Sequence, residues 1–250
     1  MIDQAVDLIR KSRYTIALTG AGFSTPSGIP DFRSPESGLW NNADAMRVAS
    51  LSGFTYDPLG FYTWIRPFAE LIRNAKPNPA HLAMASLEKQ GILHAVITQN
   101  IDMLHTEAGS KEVYEVHGHM RQMTCINCFK EYDSAPILKE HFESEKIEVP
   151  RCPACGGALK PDVILFGEQL PMQVFIKAQQ AVRKADLMLV AGSSLEVHPV
   201  ADFPGQVRRQ GGQVIIVNKE RTVQDDIASV VIRGDVAEIL PAIVDKLASE

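Results

Sequence analysis

Four short apolar runs stand out along the chain: Thr15-Ile16-Ala17-Leu18, Ala95-Val96-Ile97-Thr98, Leu187-Met188-Leu189-Val190 and Val214-Ile215-Ile216-Val217. None alternates with polar residues, so each predicts a strand covered on both faces, as in a parallel sheet. Helical patterns separate them. One opens at Asn78 as N-cap with Pro79 in the first helical position and stops at Gly91. A second spans roughly Pro171 to Ala185, with Val174, Ala178, Ala181, Val182 and Ala185 along one face. The first, about Asp3 to Lys11, groups Ile2, Val6 and Ile9. Alternation of strand and helix predicts an open α/β layered fold, its parallel sheet covered on both faces.

Two stretches break the rhythm. Residues 36–78 are rich in Gly, Pro and aromatics and are punctuated by Ser37-Gly38, Ser52-Gly53 and Asp57-Pro58. Residues 119–161 hold all four cysteines. Both read as insertions that together build a smaller second domain. The expected division is 1–35, 79–118 and 162–250 for the larger domain, and 36–78 with 119–161 for the smaller one.

Composition narrows the function. A chain of 250 residues that is 45% hydrophobic and 22% charged is globular. Thirty acids against 25 Lys and Arg leave a net charge of -5, which disfavours nucleic acid as a partner. No apolar run is long enough for a bilayer span. The N-terminus, with acids at Asp3 and Asp7, does not read as a secretory signal. A soluble cytoplasmic protein is expected, and there cysteines serve metals more often than disulfides. A monomer is favoured, although the sequence does not specify oligomeric state.

Cys125-Ile126-Asn127-Cys128 and Cys152-Pro153-Ala154-Cys155 form two Cys-x-x-Cys knuckles 23 residues apart. Each knuckle can offer two thiolates to one ion, and two of them complete a tetrahedron. Four thiolates leave no open position, so the expected zinc is structural. Residues 119–161 carry six Lys or Arg and six Asp or Glu, so the ribbon lacks a charge reason to bind nucleic acid.

The first strand runs into Thr19-Gly20-Ala21-Gly22-Phe23-Ser24-Thr25. Glycines here let a backbone approach a pyrophosphate, whose charge the N–H groups of a following helix would receive. The third glycine of the dinucleotide fingerprint is replaced by Thr25. No acid follows at the end of a second strand, which disfavours a hydride-transferring dehydrogenase.

The continuation, Gly20-Ala21-Gly22-Phe23-Ser24-Thr25-Pro26-Ser27-Gly28-Ile29-Pro30-Asp31-Phe32-Arg33, closely resembles the signature of the sirtuins, NAD-dependent protein deacylases. Thr98-Gln99-Asn100-Ile101-Asp102, His117-Gly118, the paired cysteines, Lys160-Pro161-Asp162-Val163-Ile164-Leu165-Phe166-Gly167-Glu168, Gly192-Ser193-Ser194-Leu195 and Val217-Asn218 follow in the family's order. The resemblance covers nearly the whole chain and is to the bacterial or archaeal type with a four-cysteine ribbon. It implies a Rossmann domain, a small zinc domain and a cleft for NAD and an acyl-lysine peptide.

By that resemblance the acyl oxygen displaces nicotinamide at the ribose carbon, and His117 is the base that accepts a ribose hydroxyl proton. Asp102 binds the nicotinamide carboxamide, Asn100 positions a water or ribose group, and Gln99 bonds the ribose. Gly20, Ala21, Gly22, Ser24 and Ile101 also line the cofactor. Asp31, Phe32 and Arg33 match a cofactor loop, in which Arg33 pairs with phosphate and Phe32 shields the ribose. Gly192, Ser193 and Ser194 contact a phosphate and the adenosine ribose. Asn218 and Lys219 lie near that ribose, and Val236 completes the cofactor set. Val163, Phe166 and Gly167 pair with the peptide as an added strand. His81, His105 and His119 are expected to be structural.

Some sirtuins that prefer acidic acyl groups carry Tyr-x-x-Arg in the helical insertion. Here Tyr62 is followed by Ile65 at the Arg position, with Arg66 one residue late, so a neutral acyl group is expected. Phe23 and His198 also depart from the family's usual residues. Mono-ADP-ribosyl transfer and a non-catalytic zinc-ribbon module that binds NAD remain the alternatives.

Overall fold

The computed structural model of the protein describes residues 1–31 and 43–249. Its strands are β1 (Thr15–Thr19), β2 (Leu93–Thr98), β3 (Val113–Glu115), β4 (Gly118–Cys125), β5 (Glu131–Asp133), β6 (Leu159–Val163), β7 (Leu187–Ala191), β8 (Gln213–Asn218) and β9 (Val230–Arg233). Its α-helices are α1 (Ile2–Lys11), α2 (Ala43–Val48), α3 (Leu51–Tyr56), α4 (Pro58–Asn74), α5 (Pro79–Lys89), α6 (Leu104–Glu107), α7 (Ser134–Glu143), α8 (Met172–Lys184), α9 (Phe203–Arg209) and α10 (Val236–Ala248). None of these helices is long and apolar enough to cross a membrane.

The chain divides into two compact units. The larger comprises residues 1–31, 76–116 and 171–250. Its six strands form a parallel sheet in the order β3-β2-β1-β7-β8-β9. Every residue of β1 and β7 is buried, as their uninterrupted apolar runs require. On one face, Val6 and Ile9 of α1, Met84 and Leu87 of α5 and Leu240 and Ile243 of α10 join Ala17, Val96, Leu189 and Ile215 of the sheet in one core. Helix α9 packs on β7 and β8, and α8 packs on α9 and β3. The strand order therefore reverses between β1 and β7, and ligands of open α/β sheets bind past the strand ends at such a reversal.

The smaller unit comprises residues 32–75 and 117–170. An antiparallel sheet in the order β5-β4-β6 carries the cysteines, and α3 and α4 hold an aromatic cluster of Phe54, Phe61 and Tyr62. The boundaries move from those expected. His117, Gly118 and residues 162–170 belong with the smaller unit, because β4 begins at Gly118 and pairs it with Val163 of β6. That pairing needs glycine: at φ 78° a Cβ on Gly118 would sit 1.9 Å from the Asp162 carbonyl oxygen.

A second difference concerns the turn after β1. The sequence predicts a helix whose N–H groups receive a pyrophosphate. Two single 3-10 turns, Ala21–Phe23 and Thr25–Ser27, stand there instead. The left-handed Gly28 (φ 84°) closes the second turn before an α-helix can propagate.

Candidate active site and metal centre

In the larger unit, the loops leaving β1, β2 and β7 meet at the sheet's reversal. Gly20, Gly22 and Gly192 bring two of these loops into backbone contact. A Cβ on Gly192 would lie 2.2 Å from the Phe23 nitrogen, and one on Gly22 would lie 3.1 Å from the Gly192 carbonyl oxygen. The close approach these glycines permit is therefore between two loops of the protein itself.

The loop after β2 is tied to the glycine turn by a buried polar network. The Asn100 amide donates to the Gly20 carbonyl at 3.0 Å and to Ser24 Oγ at 3.1 Å. Ser24 in turn donates to Asp102 Oδ2 at 2.6 Å, while Asp102 Oδ1 accepts the Leu104 N–H at 2.9 Å. Ser24, Asn100 and Asp102 are all buried. Burial, helped by the like charge of Glu115, outweighs the two hydrogen bonds and raises the Asp102 pKa above the ordinary carboxylate value. Gln99 donates to Ser193 Oγ at 3.0 Å, which connects the β2 and β7 loops.

Beneath this network lies a knot of three rings. Phe23, His81 and His105 are buried with each pair of ring centroids 4.8 Å apart. The Asn78 N–H donates to His81 Nδ1 at 3.2 Å, completing a capping box on α5. Asn78 Nδ2 donates to the Phe23 carbonyl at 2.9 Å, so the cap also anchors the glycine turn. His105 Nε2 meets Thr19 Oγ1 at 3.0 Å. The departure at Phe23 is thus a packing choice against two imidazoles.

Other expected cofactor residues divide. Ala21 and Ser194 lie in the β1 and β7 loops, Ile101 lies between Asn100 and Asp102, and Asp31 ends the described segment. Asn218 ends β8 and donates to the Glu220 carbonyl at 2.9 Å. Lys219 pairs at 2.8 Å with Asp235, the N-cap of α10. Val236 is buried in the core, which leaves only its backbone for a ligand. Phe32 and Arg33 lie outside the described residues.

In the smaller unit, half-buried His117 immediately precedes β4, and its carbonyl accepts the Ile164 N–H at 2.9 Å. Val163 is buried, whereas Phe166 is 45% exposed and Gly167 adopts φ 83°. The backbone of Phe166 is already used within this unit. Its N–H donates to Ala49 at 2.9 Å and its carbonyl accepts from Leu51 at 3.0 Å. Strand addition at Phe166 itself is therefore blocked, and its half-exposed ring is what it can offer.

Tyr62 is buried with its hydroxyl donating to the Leu159 carbonyl at 2.6 Å, and burial pushes its pKa up. Arg66 donates to the carbonyls of Phe142 and Ser144 and pairs with Glu70. Both side chains are thus occupied within the protein.

The four cysteine sulfurs lie within 4.8 Å of one another, with Cys125–Cys155 at 3.5 Å and Cys128–Cys152 at 3.6 Å. A zinc ion with bonds of about 2.3 Å needs tetrahedral edges of about 3.8 Å, so donor set and spacing fit one closed zinc site. Tyr132 Oη lies 3.1 Å from Cys152 Sγ, and the Asn127 N–H donates to Cys125 Sγ. Such outer contacts orient the ligands. Sequence reasoning missed Tyr132, as it missed the Ser24–Asp102 bond, since no spacing signal links partners 78 residues apart.

Residues 20–199 match the family model described as the Sir2 family. A relative from Sulfurisphaera tokodaii named NAD-dependent protein deacetylase is 46% identical, covering 99% of this chain and 96% of its own. NAD-dependent protein deacylase 2 from Archaeoglobus fulgidus is 43% identical over 98% of this chain and 96% of its own. A solved structure of Sir2 with a p53 peptide and NAD+ superposes with a TM-score of 0.90 at 39% identity, covering 100% of both chains. The chain belongs to the Sir2 family, the sirtuins.

Proposed function

We propose that this chain is an NAD-dependent protein-lysine deacylase acting on neutral acyl groups, acetyl foremost. The observation that carries the reading is the buried Ser24–Asn100–Asp102 network past the ends of β1 and β2, where an open parallel sheet takes its ligand. Family membership and the names of the relatives support the same chemistry.

Bound NAD supplies a ribose carbon with nicotinamide as leaving group and a ribose hydroxyl to receive the acyl group. In this reading Asp102 accepts from the nicotinamide carboxamide, held in place by Ser24 and the Leu104 N–H. Asn100 orients a water or the ribose, and Gln99 with Ser193 holds the ribose side. Gly20, Gly22 and Gly192 keep the loops close enough for backbone groups to meet phosphate, with Arg33 as its charged partner and Phe32 excluding water. Asn218 and the Val236 backbone serve the adenosine end. Lys219 acts there only through its pair with Asp235. His117 accepts the ribose hydroxyl proton, a contribution of about 10²–10⁴-fold for a general base.

The substrate is an acylated-lysine peptide lying along Val163 to Gly167, with Gly167 offering backbone and Phe166 its ring. The commitments of Tyr62 and Arg66 leave neither to receive a succinyl carboxylate. The net charge of -5 fits a protein partner better than nucleic acid. The cytoplasm is the compartment expected, and its reducing setting keeps four thiols available for zinc.

The test is an acetyl-lysine peptide with NAD and a nicotinamide-release readout. Turnover should require both substrates and fall at least about 100-fold in His117→Ala. Undiminished turnover in that variant would refute the base assignment. ADP-ribose attached to protein, in place of acylated ADP-ribose, would show transferase chemistry.

A further inference from the structure

Lys160 and Glu168 flank the segment expected to hold the peptide, and neither has a role in the reaction as derived so far. The Lys160 side chain is 9% exposed. Its ammonium has three hydrogens and three acceptors. It donates to the Pro161 and Val163 carbonyls, both at 2.9 Å, and lies 3.2 Å from Glu168 Oε1. The other carboxylate oxygen, Oε2, accepts the Leu165 N–H at 2.8 Å, and the Glu168 N–H donates back to the Leu165 carbonyl at 3.0 Å. The chain from Pro161 to Glu168 thus wraps around one ion pair, buried at Lys160 and partly exposed at Glu168.

A hydrophobic pair of similar volume would fill this space without the desolvation cost of two ions, so stability alone does not account for the choice. What the ions add is direction. Two carbonyls of β6 and one N–H of the segment that follows it each have a fixed partner, and that segment ends at Gly167 in a left-handed conformation. The next links fix two further points. Ile164 bonds the His117 carbonyl, and Phe166 bonds Ala49 and Leu51. The pair therefore holds the peptide-facing backbone in register with the residue proposed as base.

We propose that Lys160 and Glu168 are positioning residues for the acyl-lysine peptide, fixing the Val163–Gly167 segment against which it lies. The inference rests on the deacylase reading above, and the experiment separates the two.

Steady-state kinetics with an acetyl-lysine peptide and NAD are compared for wild type, Glu168→Gln and Lys160→Met. Anisotropy of the same peptide, fluorescently labelled, measures binding directly. Glu168→Gln keeps one acceptor where the carboxylate offered two, so an amide NH2 must face either the Leu165 N–H or the Lys160 ammonium. It should raise peptide KM and Kd about 3–10-fold while NAD KM stays within about twofold. Lys160→Met strands Glu168 and two carbonyls, and should raise peptide KM at least about tenfold. If Lys160→Met does not fold, Glu168→Gln alone decides. Unchanged peptide KM and Kd in Glu168→Gln, or equal losses for peptide and NAD, would overturn the positioning role. A wild type that neither binds nor turns over the peptide would instead overturn the deacylase reading.

Discussion

The two imidazoles under the glycine turn make the larger unit acid-sensitive in a defined window. Burial lowers the His81 pKa to about 3, and burial together with neighbouring His81 lowers that of His105 well below its ordinary value. Geometry gives the reason a proton is unwelcome. His81 Nδ1 accepts the Asn78 N–H, so protonation would set two donors face to face and break the cap that anchors Phe23. A base whose folded pKa lies below its unfolded value binds more protons when unfolded. Its contribution to stability is whole above about pH 6.5 and is lost as pH falls toward about 3. For His81 the full gap corresponds to about 5 kcal/mol, of which about 2 kcal/mol is lost by pH 5. His105 adds a loss of the same sign.

Other groups act elsewhere. The carboxylates of Asp186, Asp225 and Asp235 are held low by their hydrogen bonds, so they contribute stability that is lost only below about pH 4. Asp102, raised by burial, favours protonation in the folded state and offsets part of the loss as pH falls. His141, also lowered, lies in the smaller unit. His81→Gln isolates the effect, since Gln at this position of a capping box accepts the same N–H without titrating. Urea unfolding followed by circular dichroism at pH 8 and pH 5 should show wild type losing about 2 kcal/mol more than His81→Gln between the two. Equal losses would mean that the buried ring is not the titrating group.

Three further outcomes follow from single contacts. Gly192→Ala places a methyl 2.2 Å from the Phe23 nitrogen at φ 62°, so the β1 and β7 loops must part. NAD KM should rise at least about tenfold, and an unchanged NAD KM would remove the contact from the site. Tyr62→Phe leaves the Leu159 carbonyl unpaired and should cost about 1–3 kcal/mol without creating succinyl activity. A change in acyl preference without loss of stability would contradict its structural role. Purified protein should carry one zinc per chain by atomic absorption, and Cys152→Ser should lose it together with protease resistance of residues 117–170. Zinc-free protein with an intact smaller unit would refute the structural assignment.

The four central strands were legible because burial on both faces leaves uninterrupted apolar runs, whereas β9 was not read. The cap at Asn78-Pro79 was legible for a similarly local reason, the chemistry of one turn. Elements that depend on partners were not. β3 has only three residues and exists because β2 presents an edge to it. α10 carries Pro241 within its span, which hides a helix held by packing on α1 and α5. His117 was legible as a motif, but its place in the smaller unit follows from the Gly118–Val163 pairing, which joins residues 45 apart in the chain.

The glycine turn shows how a motif read from sequence can carry an incomplete cause. Read from sequence, Gly20 and Gly22 make room for a pyrophosphate. In the folded chain the same absence of side chains lets the turn pack against Gly192, and a Cβ on Gly20 would lie 2.9 Å from Ser193. These two demands are not alternatives. A loop can present its N–H groups to a ligand only if its own backbone is held still, and here the second loop does the holding. Ser193 then accepts Gln99, Ser24 receives Asn100 and gives to Asp102, and Asn78 fixes Phe23. Three of these ties join the ends of different strands, and Asn78, the N-cap of α5, makes the fourth. A ligand entering such a site meets groups already oriented, so little of its binding energy is spent on ordering them. The glycines are the condition for that arrangement, since any side chain at Gly192 would separate the loops before a ligand arrived.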